Sequence, residues 1–172
     1  MNKFVKSAVA AGLLVAVGAA EAATATANFQ VTASVPALCT VSATPLAFGA
    51  YTPGAGDLDV AATNNIAVRC TRGTGYTVGL NAGLAPGATI TNRRMRSIAT
   101  PANELAYSLF ANAARTTNWG DTAPSGAPTG TSTGFATAVN YTVYGRIPDN
   151  AANQDAAAAT DYTDTITVTV TY

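Results

Sequence analysis

Both ends of this chain alternate with a period of two. From Asp161 to Tyr172 the apolar residues Ile166, Val168, Val170 and Tyr172 hold the even positions, and Thr165, Thr167, Thr169 and Thr171 lie between them. Toward the other end Ala25, Ala27, Phe29, Val31, Ala33 and Val35 hold the odd positions, separated by Thr26, Asn28, Gln30, Thr32 and Ser34. That periodicity belongs to a β-strand with one buried face, so both ends are expected to be half-buried strands. An apolar strand left unpaired at a chain end invites aggregation. It is therefore either zipped into its own sheet or donated to another molecule. The second arrangement makes a polymer subunit.

What precedes the N-terminal strand reads as a leader. Lys3 and Lys6 stand ahead of an Ala/Val/Leu/Gly run over Ala8–Ala20, and Ala20-Glu-Ala22 forms a small-x-small cleavage box. Thirteen residues fall well short of the roughly 20 that a spanning helix needs. The expectation is a signal peptide over residues 1–22 and an exported, soluble mature chain of 150 residues. A chain of that size typically forms one domain. Past Ala22 it carries seven arginines, no lysine and eight acidic residues, a net charge of about −1. So weak a charge suits neither nucleic acid nor an anionic membrane. The run Arg93-Arg-Met-Arg96 lies in a Gly/Pro/Asn-rich stretch and reads as a solvated loop.

Only Cys39 and Cys70 are present, and in an exported chain an isolated pair is expected to form a disulfide. Cys39 is in step with Val41 and Cys70 with Ile66 and Val68, so both sulfurs point toward the core. Closing such a loop contributes about 3–4 kcal/mol on the chain-entropy account.

Between the ends, Pro36 breaks the ladder and a strand is expected over Leu38–Phe48. Further alternation marks Ile66–Cys70 and Tyr76–Leu80, joined as a hairpin through Thr71–Gly75. Asn81–Thr100 reads as loop with one short strand. Leu105, Tyr107 and Leu109 form another alternating face, and Asn112–Thr137 is a long excursion ordered in part by Trp119. Val139, Tyr141, Val143 and Ile147 resume the pattern, with Gly145 as a candidate bulge. Asn150–Thr160 is an uncapped linker with room for one helical turn. Six strands beside the N-terminal one, and no substantial helix, predict an all-β, immunoglobulin-like antiparallel sandwich.

Chemistry is sparse. Histidine is absent, which removes the usual general base, the Ser-His-Asp and Cys-His arrangements and the commonest metal ligand. Two carboxylate pairs, Asp57 with Asp59 and Asp161 with Asp164, could in principle serve a glycosidase, but Asp in turns ordinarily bonds backbone. No calcium loop or phosphate loop is formed, since Arg72-Gly-Thr-Gly75 precedes a strand. Asn140-Tyr-Thr142 matches a glycosylation acceptor but sits within a strand. No catalytic residue, cofactor or metal is expected. Seven tyrosines and one tryptophan could build a sugar platform from Tyr51, Tyr144 and Trp119, although aromatics in β proteins usually fill the core or rim.

The order and spacing of several segments resemble a known family over essentially the whole mature chain. These are Phe29–Ala33 before Cys39-Thr-Val41, Leu46–Tyr51, the second cysteine in Ile66–Cys70, Asn118-Trp-Gly120, Tyr141–Ile147, and Tyr162–Ile166 running on to Tyr172. They resemble the spore coat protein U domain family, which includes subunits of archaic chaperone-usher pili. The resemblance implies an immunoglobulin-like fold lacking its last strand, completed first by a periplasmic chaperone and then by the N-terminal segment of a neighbouring subunit. It implies an outer-membrane usher as a further partner, passage through the periplasm to a surface fimbria, and a role in adhesion or biofilm formation. On that scheme residues 23–36 are the donor segment, with Ala25, Ala27, Phe29, Val31, Ala33 and Val35 facing inward, and residues 37–172 are the body. Ile166, Val168, Val170 and Tyr172 line the acceptor groove.

Three readings stand at this point: a polymerising structural subunit of pilus or coat type, a self-complemented secreted binding module, and a carboxylate hydrolase.

Overall fold

The computed structural model describes residues 21–172, so the expected leader over Met1–Ala22 lies outside the described residues except for its last two positions. The chain divides into two units, one through Ala33 and one from Ser34 to Tyr172. In the first, residues 21–33 form neither helix nor strand and are exposed. The expected half-buried N-terminal strand therefore does not form within the chain: Phe29 and Val31 are 87% and 81% exposed, and Val35, just inside the second unit, is 83% exposed. Alternation alone cannot make a ladder, because each strand needs a second one to accept and donate its backbone hydrogen bonds.

The second unit is all-β. Its strands are β1 (Cys39–Ala43), β2 (Leu58–Cys70), β3 (Gly75–Leu80), β4 (Arg93–Ser97), β5 (Glu104–Phe110), β6 (Thr129–Thr131), β7 (Val139–Ile147), β8 (Tyr162–Thr163) and β9 (Val168–Thr171), with one α-helical turn, α1 (Ala151–Gln154), and one 3-10 turn over Ala123–Ser125. A six-stranded sheet runs in the order β1-β2-β7-β5-β4-β8, and a three-stranded sheet runs β6-β3-β9. Every pairing is antiparallel. The alternating residues meet between the sheets as expected of an immunoglobulin-like sandwich. Ile66, Val68 and Cys70 of β2, Leu105, Tyr107 and Leu109 of β5, and Val143 and Ile147 of β7 face Tyr76, Val78 and Leu80 of β3 across one core. Cys39 and Cys70 sit opposite each other in the β1–β2 register and are joined as a disulfide.

Several sequence expectations are corrected. Thr71–Gly75 is no hairpin, because both edges of β2 are taken by β1 and β7, and the chain crosses to the other sheet to make β3. β1 is shorter than Leu38–Phe48. Its ladder ends where Thr44 N donates to Asn65 O at 2.8 Å, and Pro45 has no N–H with which to continue. β2 begins already at Leu58, its early part hidden by small alanines and by a register shift between Ala62 and Ile66. That shift is the irregularity of this pair, while Gly145 stays in register with Val60 and Leu109. Glycine is needed there for space, since a Cβ would stand 2.7 Å from Phe48 Cζ. α1 is capped after all, with Asn150 Oδ1 accepting from Asn153 N at 3.0 Å.

The arginine run is the largest correction. Arg93–Arg96 lies within β4, and Arg93 is fully buried. Its guanidinium donates to Asn81 O (2.9 Å), Ile90 O (2.8 Å), Leu80 O (3.3 Å) and Trp119 O (2.7 Å). Burial lowers its pKa from the usual range. A planar fork of donors suits carbonyls arriving from several loops at once. Arg94 instead pairs with Glu104 at 2.8 Å on the neighbouring strand. Trp119 orders its excursion as expected, but from inside the core: it is fully buried and its Nε1 donates to Val78 O at 2.7 Å.

Candidate functional site

The site grows out of two chain segments that part company. After Pro45 the chain no longer pairs with β2, and Leu46, Phe48 and Tyr51 lie half-buried against the core. On the far side, Asp161–Tyr172 is not one strand. Tyr162 and Thr163 pair with β4 in the large sheet, whereas Val168–Thr171 pair with β3 in the small one, so Asp164–Thr167 crosses between sheets. The crossing is pinned at Asp164, whose carboxylate accepts from Tyr107 Oη at 2.6 Å, Leu84 N at 2.8 Å and Thr165 N at 2.8 Å. Burial first, and this bond second, hold the Tyr107 hydroxyl well above its usual pKa.

Between the two segments lies a cleft of about 1330 Å³, every lining residue of which falls between Ala43 and Val168. Its floor is core: Ile66, Leu80, Leu105, Tyr107, Val143 and Ile147. One wall carries Leu46 and Phe48, the latter packed edge-on against Tyr107 at 5.9 Å. The other carries Ala156–Thr160, Tyr162, Ile166 and Val168. The volume exceeds the roughly 300–1,000 Å³ of a small-molecule site. β9 and β1 are the end strands of their sheets, so each presents one row of backbone N–H and C=O groups with no ladder partner among the described residues.

Of the residues expected in an acceptor groove, Ile166 and Val168 line this cleft. Val170 packs half-buried on the core outside it, and Tyr172, 56% exposed, borders a shallow depression with Tyr76, Thr77 and Gly130 instead. The expected donor residues Ala25, Ala27, Phe29, Val31, Ala33 and Val35 are all exposed. Sequence reasoning missed the wall at Leu46 and Phe48, whose alternation was legible. It also missed Met95, Asn65 and Asn153, which no pattern marked. Asn153 takes a strand's place: its side-chain amide accepts from Ala106 N at 2.8 Å and donates to Ala106 O at 3.0 Å.

The carboxylates are structural. Asp57 accepts from Asp149 N at 2.9 Å, and Asp59 holds Arg146 in a two-pronged bond at 2.7 and 2.9 Å, the Arg146 hydrogen bond lowering its pKa. Asp161 accepts from Ala99 N at 2.8 Å. Asp149 receives Tyr51 Oη (2.6 Å), Gly54 N (3.0 Å) and Gly56 N (2.8 Å), which hold its carboxyl down at about 2. Burial and the same bond push Tyr51 up to about 12. The sugar platform does not assemble, since Trp119 is core, Tyr51 is tied to Asp149 and Tyr144 lies half-buried under Arg115.

The disulfide-stapled, immunoglobulin-like sandwich defines a class of structural protein rather than an enzyme. The family model for the Spore Coat Protein U domain matches residues 25–169, and the chain belongs to that family. It is similar to Protein U of Myxococcus xanthus, 36% identical over 180 residues that cover 98% of this chain and 96% of that protein. Its fold is similar to a chain in the crystal structure of the CsuC-CsuE chaperone-tip adhesion subunit pre-assembly complex from archaic chaperone-usher Csu pili of Acinetobacter baumannii. The TM-score is 0.56 and the identity 26% over 80% of this chain, which spans 40% of the length of that one.

Proposed function

We propose that this chain is the repeating structural subunit of a secreted surface polymer, assembled by donation of residues 23–36 of one copy into the cleft of the next. The observation that carries this reading is the pairing of an apolar cleft of about 1330 Å³, beside the edge strand β9, with an alternating apolar segment whose Phe29 is 87% exposed. Eleven residues from Ala25 to Val35 reach about 36 Å as a strand. Burying Phe29, Val31 and Val35 contributes about 1.5–3 kcal/mol each, with a ladder of backbone bonds in addition. Donor and acceptor are different surfaces of one molecule, so the contact need not close and propagates a fibre. Residues 1–22 act as the export signal and residues 37–172 as the body.

A periplasmic chaperone fills the cleft before assembly and an outer-membrane usher accepts the subunit, a scheme supported by the likeness to a chain of a chaperone-subunit complex from such pili. The finished polymer stands on the cell surface as an archaic chaperone-usher pilus and supports adhesion or biofilm formation. A coat layer would use the same contact, and electron microscopy of the product separates fibre from layer. The test is the mature protein run unboiled and boiled in SDS beside a version lacking Ala23–Val35 and a Phe29→Asp variant. A ladder that collapses on boiling and is absent from both variants is expected. A monomer band in all three, with unchanged melting, refutes the reading in favour of a self-complemented domain.

A further inference from the structure

The segment Asp161–Tyr172 has a second path open to it. Tyr162 and Thr163 face Ser97 and Arg96 across the β4–β8 ladder. Carried on in the same register, Asp164, Thr165 and Ile166 would face Met95, Arg94 and Arg93, whose edge on that side has no ladder partner among the described residues. Tyr162, Ile166, Val168, Val170 and Tyr172 keep one phase, so the apolar pattern permits this straight path. Asp164 is the one charged residue in that phase. On the straight path its carboxylate would be placed beside Met95, which packs on the core, and a charge without partners is costly there. On the path taken the partners are in place. Tyr107 Oη donates to Asp164 at 2.6 Å and Leu84 N and Thr165 N each donate at 2.8 Å. Gly83, at φ 87°, leaves the carboxylate its room, since a Cβ there would collide with it. Three residues on, Thr167 N donates to Asn81 Oδ1 at 2.9 Å and Asn81 N donates to Thr167 O at 3.2 Å.

We propose that Asp164 is a positioning residue of the cleft: clasped by Tyr107 and by the turn Asn81–Leu84, it holds the chain on its crossing between the sheets and so keeps the cleft open for the entering strand, the N-terminal segment of a second copy. The inference deepens the donor-strand reading above and rests on it. Tyr107, Met95, Asp164, Ile166 and Val168 all line the cleft. A segment zipped along β4 would cover the Met95 edge and take Ile166 and Val168 out of the wall. Only the open arrangement can receive a strand. A shift toward the zipped one therefore lowers the apparent association rate by the fraction of open cleft lost, and leaves dissociation from an occupied cleft unchanged. A residue that served only the stability of the fold would not divide the two rates in this way.

The experiment uses the full chain carrying Phe29→Asp, whose own donor segment is blocked, and a synthetic peptide of the sequence Ala25–Val35 as the entering strand, with association and dissociation rates measured separately. Asp164→Val is expected to slow association about 10-fold, the size of one hydrogen bond to a charged group, with dissociation unchanged. Hydrogen exchange of the β9 amides should quicken in the same variant, because the zipped segment leaves β3. Tyr107→Phe removes one of the three donors and slows association by a smaller factor. Asp164→Asn recovers most of the rate, since its Oδ1 still accepts from both N–H groups and its Nδ2 donates to the Tyr107 oxygen. Should Asp164→Val fail to fold, Tyr107→Phe and Asp164→Asn carry the test. Association unchanged in Asp164→Val and Tyr107→Phe, or a change confined to dissociation, overturns the role of Asp164 while leaving strand donation standing. A Phe29→Asp chain that binds no peptide removes the reading beneath it.

Discussion

Replacing Arg93 by methionine keeps the apolar stem and removes the fork that joins four carbonyls. Two of its bonds, to Leu80 O and Trp119 O, are buried, and two, to Asn81 O and Ile90 O, are partly so. Each carbonyl kept from water without a donor costs about 1–3 kcal/mol, so the buried two cost about 2–6 kcal/mol. The other two recover water. Relief from burying a cation offsets part of the loss, and the net destabilisation is about 3 kcal/mol. For a chain of this length that lowers Tm by about 6–12 °C. Urea unfolding of the subunit in the Phe29→Asp background measures it free of assembly, and the near-UV signal of Trp119 should weaken in step. Arg93→Lys retains the charge but not the planar fork, so it should recover less than half. A change of under about 0.5 kcal/mol in Arg93→Met would show that the arginine is a passenger in an already complete core.

Replacing Cys39 and Cys70 by serine removes a staple between directly paired residues, and is expected to shift the urea midpoint by the equivalent of about 3–4 kcal/mol. Asp149 contributes stability that is complete above its usual pKa of 3.8 and is lost as the pH falls through its folded value of about 2. Acid unfolding should therefore deepen between those values, and Asp149→Asn should abolish that part of the pH dependence. Gly145→Val drives a side chain into Phe48, whose ring forms a cleft wall. It should cost about 1–3 kcal/mol in the subunit and slow formation of the SDS-resistant ladder relative to wild type.

The sequence by itself determined the period-two elements and which side of each is apolar. Ile66, Val68, Cys70, Tyr76, Val78, Leu80, Leu105, Tyr107, Leu109, Val143 and Ile147 were all legible as one buried face, and all are core. The cysteine pair was legible for the same reason, since phase along a strand is a local property of the chain. Which strands pair was not. Thr71–Gly75 has the composition of a hairpin and is a crossover, because the choice was made by β1 and β7, which come from distant parts of the chain and occupy β2 on both sides. Asp161–Tyr172 keeps one alternating phase, interrupted only at Asp164, and yet belongs to two sheets, the change being pinned by Tyr107 and Leu84 on that same Asp164. Arg93 looked like any surface arginine beside Arg94 and Arg96, and only the meeting of four carbonyls from three separate segments made it a core residue. The cleft follows the same logic. Ile166 and Val168 announced an apolar face, but Leu46, Phe48 and Asn65 joined them only because Pro45 ends one ladder while Asp164 bends the other segment away. A strand's pattern records what it needs to bury, and the tertiary structure decides what is left to bury it.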